Sequence, residues 1–292
     1  MKYKNNINGI ILVNKPKGLT SRDVVNKIQK IFNTKAGHTG TLDPLARGVL
    51  IVCLGKATKL TEELTCIEKE YIAEITLGYE TDTLDTEGKI IKEKETNITR
   101  EELTKTLQKF IKTYNQEVPK YSAVKVNGKK LYEYARKGEE VLLPKKEVTI
   151  YDLSLLDYED NIIKIYTKVS KGTYIRSLIR DICHELNAVG TMSNLARISQ
   201  GKYKIKDTFT LEDLEKGKYS IIPIKELLDM KVVKVSGKLK QKIINGQKLD
   251  FDYDEVLFTD MDDKELAIYR KEGKELKVYK MLYSNEKELT KV

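Results

Sequence analysis

The chain has 292 residues, 40% hydrophobic and 33% charged, and a formal net charge of +9 from 53 Lys plus Arg against 44 Asp plus Glu. That length can bury an ample core, no apolar run approaches the roughly 20 residues that cross a bilayer, and the basic balance suits a polyanion such as RNA without requiring one. Three dispersed cysteines, Cys53, Cys66 and Cys183, and two histidines, His38 and His184, show no metal-ligand spacing, so neither a disulfide framework nor a protein-built metal site is expected.

An apolar strand over Ile10–Val13 comes first; it is too brief for a signal-peptide core, and a cytoplasmic location without membrane attachment is expected. The turn Lys15-Pro16-Lys17-Gly18 follows, and Thr20 can cap a helix whose buried face is Val24, Val25, Ile28, Ile31 and Phe32. A glycine-punctuated loop, Gly37 to Gly48, leads into Val49–Leu54, a continuously apolar run that reads as a fully buried strand. From Glu70 to Tyr79 the chain alternates, with Tyr71, Ala73, Ile75, Leu77 and Tyr79 on one face. Arg100–Tyr114 has helical spacing, and Tyr121–Gly138 is basic and aromatic around an Asn127-Gly128 turn, a segment able to project from the body. Ile162–Val169 reads as a strand, and a helix opening at Gly172-Thr173 carries the stripe Ile175, Leu178, Ile179, Ile182 and Leu186. Beyond about Leu228 come a short helix over Gly237–Asn245 and strands near Glu255–Met261, Glu265–Arg270 and Glu275–Met281. Elements mixed without a βαβ rhythm predict an α+β fold with a largely antiparallel or mixed central sheet over residues 1–228, then a small β-rich domain over 229–292.

The loop Gly37-His38-Thr39-Gly40-Thr41-Leu42-Asp43-Pro44-Leu45-Ala46-Arg47-Gly48 is the most informative stretch. Its glycines allow close backbone approach, and Pro44 biases Asp43 away from helix, so an acidic side chain stands on a stiffened turn. On turn chemistry alone, an aspartate bonding its own backbone is the commoner case. The whole string, however, resembles the catalytic loop of the TruB-type pseudouridine synthases, GHTGxLDPxAxG. Other segments resemble that family in the same order: Asn14-Lys15-Pro16-Lys17-Gly18-Leu19-Thr20-Ser21; Lys69-Glu70-Tyr71 with Thr81-Asp82-Thr83-Leu84-Asp85-Thr86-Glu87-Gly88; Val118-Pro119-Lys120-Tyr121-Ser122-Ala123 through Arg136; Lys171-Gly172-Thr173-Tyr174-Ile175-Arg176; and Leu195-Ala196-Arg197 with Gly201. They span about residues 9 to 225; the remainder matches the family in size and β content only, as a PUA-like domain would.

The resemblance implies a cofactor-free isomerase that turns the T-loop uridine of tRNA, position 55 in tRNA numbering, into pseudouridine, with no atom entering or leaving. Asp43 would be the essential carboxylate, with attack on the sugar, attack on the base or removal of a ribose proton all left open. Arg176 would pair with Asp43 or contact a phosphate; Tyr71 would stack on the extruded uracil or serve the core. Tyr174 and Leu195 would wall the base pocket, His38 would hold the RNA loop, Asp85 would order Tyr71 or meet RNA, and Lys15 would support the catalytic loop. Lys125, Lys129, Lys130 and Arg136, interleaved with Tyr121, Tyr132 and Tyr134 in an insertion over about 115–140, suit a grip on a folded RNA. Guide-dependent relatives lack that insertion, so the expected partner is the tRNA T-arm alone, met by a monomer with no guide RNA. An RNA chaperone and an enzyme acting on another RNA are the competing readings; a nucleotide-dependent enzyme is disfavoured because Gly55-Lys56 lacks the upstream glycine of a phosphate loop.

Overall fold

The computed structural model describes residues 7–227 and 229–283, so Leu228, the sequence-based end of the first domain, lies outside the described residues. The elements run β1 (Gly9–Lys15), α1 (Ser21–Phe32), β2 (Ala36–His38), β3 (Arg47–Leu54), α2 (Thr61–Thr65), β4 (Lys69–Leu77), β5 (Tyr79–Thr81), β6 (Ile90–Glu93), α3 (Arg100–Lys109) and β7 (Thr113–Glu117). They continue through β8 (Lys125–Val126), β9 (Lys129–Lys130), α4 (Leu131–Lys137), β10 (Lys145–Glu159), β11 (Ile162–Val169), α5 (Ile175–Glu185), β12 (Gly190–Gln200), β13 (Tyr203–Lys204) and α6 (Leu211–Glu215). The C-terminal region adds β14 (Lys231–Lys234), α7 (Gly237–Ile244), β15 (Glu255–Thr259), β16 (Glu265–Glu272) and β17 (Glu275–Met281).

The central sheet has the order β1-β3-β12-β4-β11-β10-β7, with β2 on β3 and β13 on β12. Its pairings are antiparallel except that of β12 with β3, which makes the sheet mixed and largely antiparallel, as the α+β reading expects. The continuous apolarity of β3 has a direct cause. Leu50, Val52 and Leu54 pack with Ile11 and Val13 against Val24, Val25, Ile28 and Phe32 of α1. On the opposite face, Val49, Ile51 and Cys53 pack with Ile10 and Leu12 against Leu257, Ile268 and Leu282 of the C-terminal region. A strand covered on both sides has no place for a polar residue. The C-terminal strands form a separate sheet, β14-β15-β16-β17, the β-rich unit expected there. Among the described residues no helix is long and apolar enough to cross a membrane.

The third core lies under the future site. Tyr71, Ala73, Ile75 and Leu77 of β4 meet Leu103 and Leu107 of α3, Leu178, Ile179 and Ile182 of α5, and Leu42, Leu45 and Ala46 of the loop before β3. Helix α1 starts as Thr20 predicts: its hydroxyl accepts from the Asp23 backbone N–H at 3.0 Å, and the Asp23 carboxylate accepts from the Thr20 N–H at 2.9 Å. Thr20→Ala should therefore cost about 1 kcal/mol. A thermal melt should register it as a fall of about 2 °C in a chain of this length, and an unchanged melt would remove the cap from the account.

Four expectations need correction. The helix read over Arg100–Tyr114 stops at Lys109, because Thr113–Glu117 pairs with Lys145–Thr149 and tertiary pairing overrides the helical spacing. The strand read to Tyr79 ends at Leu77, since Gly78 at φ +104° turns the chain into the β5–β6 hairpin. Gly37 and His38, read as loop, belong to the short strand β2. The strand near Glu255–Met261 ends at Thr259.

Candidate active site

The loop that carries Asp43 is clamped by the segment before α1. Ser21 Oγ donates to the Leu42 carbonyl at 3.0 Å and accepts from the Leu42 N–H at 2.8 Å. The Gly18 N–H donates to the Pro44 carbonyl at 2.8 Å. Lys15, fully buried, donates its ammonium to the carbonyls of Pro16 (2.9 Å), Pro44 (3.4 Å) and Ala46 (2.7 Å), and burial lowers its pKa to about 8. Within the loop, the Ala46 N–H returns to the Asp43 carbonyl at 3.0 Å, closing a turn with Pro44 at its second position. Gly48 leaves the loop at φ +107°, where a Cβ would sit 2.2 Å from the Arg197 carbonyl oxygen, so only glycine lets β3 and β12 approach here.

That scaffold presents Asp43 to the first turn of α5. Arg176 Nε lies 2.9 Å from Asp43 Oδ2, with the arginine side chain 6% exposed and the aspartate 33%. The rest of the guanidinium is also engaged: Nη1 donates to the Thr83 carbonyl at 2.8 Å and lies 3.8 Å from Asp85 Oδ2, and Nη2 donates to the Tyr121 carbonyl at 3.1 Å. The planar fork thus fixes the direction from which the carboxylate is held. Asp85 is oriented in turn, accepting from Thr83 Oγ1 at 2.7 Å and from the Glu87 N–H at 3.1 Å.

Asp43 and Arg176 open onto a cleft of about 400 Å³ that is also lined by Tyr71, Tyr174, Leu195 and Tyr121. Tyr71 and Leu195 are buried on adjacent strands, and the Tyr174 hydroxyl has its pKa raised, chiefly by burial. A cleft with aromatic and aliphatic walls and one anchored carboxylate can hold a flat base against an acid–base or nucleophilic group. The structure therefore brings together Asp43, Tyr71, Arg176, Tyr174 and Leu195, with Asp85 behind the arginine. Lys15 lies beneath the loop, spent on its carbonyls. His38 is on β2, where its Nδ1 accepts from the Gly40 N–H at 3.4 Å and burial lowers its pKa.

The insertion builds one edge of the cleft through Tyr121 and Tyr132. Its cations are arrayed on its own rings: Lys129 Nζ is 4.2 Å from the Tyr134 ring centre, Lys130 Nζ is 5.4 Å from Tyr132, and the Arg136 guanidinium is 5.3 Å from the same ring. Lys129 also pairs with Glu139, while Lys125 is exposed. Among the cleft residues that received no role from the sequence are two cations, Lys69 and Arg197, both buried. They stand inside the segments quoted above, but nothing in a string of letters shows that a cation is buried.

Comparison with known proteins decides the family. The model of the TruB family pseudouridylate synthase N-terminal domain matches residues 28–175. The tRNA pseudouridine synthase B of Caldanaerobacter subterraneus subsp. tengcongensis is 46% identical over 244 residues, covering 82% of this chain and 86% of the relative. The chain belongs to the TruB family. The tRNA pseudouridine synthase B of Oceanobacillus iheyensis, 40% identical over 298 residues, extends the match to 98% of this chain and 97% of the relative. This TruB-family chain is accordingly a pseudouridine synthase, an isomerase of RNA uridine. Among solved structures, a chain of a Cbf5-Nop10-Gar1 complex superposes with a TM-score of 0.70 at 24% identity, over 95% of this chain and 86% of that one, and shares the fold.

Proposed function

We propose that this chain isomerises the T-loop uridine of tRNA, with the target base extruded into the cleft and turnover dependent on Asp43. The observation that carries the reading is the Asp43 carboxylate held at 2.9 Å by a buried arginine on the floor of a cleft with tyrosine walls. Pseudouridine formation needs three events: the C1′–N1 bond breaks, the base turns, and C5 joins C1′. A stacked base cannot turn, so extrusion into a pocket is required before C5 can face the sugar. Tyr71 and Tyr174 supply flat surfaces for the extruded ring, Leu195 an apolar wall, and Arg176 the aim of the carboxylate.

The address on the RNA rests on the relatives, named tRNA pseudouridine synthase B, and on the insertion. Its cations and rings suit the phosphates and unstacked bases of a folded loop, which supports a stand-alone monomer that reads the T-arm without a guide RNA. His38 at the start of the catalytic loop would hold the displaced RNA loop. In the same reading residues 1–228 form the catalytic domain, residues 229–292 a PUA-like companion, and the protein works in the cytoplasm. Replacing Lys125, Lys129 and Lys130 by glutamate should weaken tRNA binding and reduce the slope of log affinity against log salt by about two to three. Titrations at several salt concentrations measure that slope, and an unchanged value would place the grip elsewhere.

The deciding experiment is pseudouridine formation in an unmodified tRNA transcript by the purified chain without added metal or cofactor, with the modified position mapped. Product confined to the T-loop uridine is the expected result. Product at another position would overturn the address, and tight binding without product would favour a chaperone.

A further inference from the structure

Two cations with no part in the reaction described so far stand on the wall of the same cleft. Lys69, the first residue of β4, is 7% exposed, and Arg197 of β12 is 1% exposed. A Cβ placed on Gly40 would meet Lys69 Cε and Arg197 Nη1, each at 3.5 Å, so both side chains converge on the backbone three residues before Asp43. Among the described residues neither has an ion-pair partner. Lys69 Nζ donates to the carbonyls of Thr65 at 2.9 Å and Ile67 at 2.6 Å, which leaves its third hydrogen without a protein acceptor. Arg197 donates Nε to the Val49 carbonyl at 2.6 Å and Nη2 to the Gly40 carbonyl at 3.1 Å. Carbonyl dipoles solvate these charges but do not neutralise them, and a buried positive charge without a counter-charge favours any site occupant that becomes negative.

The substrate becomes negative whichever way Asp43 acts. If the C1′–N1 bond breaks through attack on the sugar or loss of a ribose proton, its electron pair leaves on N1 and spreads to O2 and O4. If the carboxylate adds to C6, the C5–C6 pair moves toward O4. In each case a uracil carbonyl oxygen gains charge that a fixed cation can stabilise more in the transition state than in the bound uridine. We propose that Lys69, backed by Arg197, is a further catalytic residue, setting its free ammonium N–H against a uracil carbonyl oxygen as negative charge develops there. The inference rests on the reading that the target uridine enters this cleft.

The sign of the pH dependence follows from the environment of Lys69. Burial first, then repulsion from Arg197, lowers its pKa to about 8; Lys171 lowers it further and Cys66 opposes. The competent form is the protonated one, so the rate should fall as pH rises through about 8. Single-turnover rates on the unmodified transcript between about pH 6.5 and 9.5 are to be compared for wild type, Lys69→Met and Lys69→Arg, with tRNA affinity and melting temperature measured alongside. Lys69→Met should slow turnover by about 10- to 100-fold, bind tRNA as wild type does, melt as wild type does, and show a weaker alkaline decline, the remainder being that of Lys15 beneath the loop, whose pKa burial also lowers to about 8. Lys69→Arg should keep most of the rate and move the decline to higher pH. A Met variant with the wild-type rate, or one that is slow but keeps the same alkaline decline, would overturn the proposal and make Lys69 a brace for the Thr65 and Ile67 carbonyls. If the Met variant does not fold, the Arg variant decides, and a pH profile identical to that of wild type overturns it. A wild-type chain that makes no product sinks the underlying reading instead, and that result is distinct from an active wild type matched by an equally active Met variant.

Discussion

Asp43→Asn should yield no measurable pseudouridine in the unmodified tRNA transcript while binding that transcript within a few fold of wild type. The amide has the size and shape of the carboxylate, and its oxygen can still accept from Arg176 Nε, so neither a void nor a lost clamp accompanies the change. The loop that carries residue 43 is fixed by Ser21, Gly18 and Lys15 through backbone groups that the substitution leaves alone. The guanidinium also keeps its Thr83 and Tyr121 carbonyls, so no buried charge is stranded. What disappears is the electron pair available for bonding to carbon or hydrogen, on which all three routes depend. A loss on the order of 10³-fold or more is expected in single-turnover rate, with dissociation constants measured separately. Product from the pure mutant at a tenth of the wild-type rate would remove Asp43 from its role, whatever its geometry.

The legible parts of this molecule were those written in consecutive residues. The Thr20 cap, the two-sided burial of Val49–Leu54 and the stripe of α5 each depend on periodicity or on one side chain bonding its own backbone neighbour, and each is where the sequence places it. Strand β10 escaped detection because its register slips between Ile150 and Asp152 and again between Leu155 and Asp157, so no simple alternation survives. Strand β12 has two such slips, and its polar Thr191, Ser199 and Gln200 are buried, so neither alternation nor continuous apolarity marks it as a strand. The same limit applies at the site. The approach of Arg176 to Asp43 could be anticipated because both occupy recognisable segments, whereas the burial of Lys69 and Arg197 arises only when β4, β12 and the Gly40 turn are folded against one another.

Arg176→Lys tests whether the carboxylate needs a neighbouring charge or a planar fork. Lysine keeps the charge, but one ammonium cannot reach Asp43 Oδ2, the Thr83 carbonyl and the Tyr121 carbonyl from the directions used by Nε, Nη1 and Nη2. Those three partners lie on three separate pieces of chain: the Asp43 loop, the β5–β6 hairpin and the root of the insertion over about 115–140. The arginine therefore sets the carboxylate relative to the walls that would hold the base, and a displacement near 1 Å there is enough to cost on the order of 100-fold in rate. The expected result for Arg176→Lys is a fall in single-turnover rate of that size or greater, with tRNA affinity changed far less, because the lysines of the insertion, proposed above to grip the RNA, remain in place. Arg176→Ala should be slower still, since it strands the two carbonyls and leaves Asp43 without its partner. If Arg176→Lys instead retained more than a third of the rate, charge alone would suffice, and the three-way tie would be a structural brace with no bearing on the chemistry.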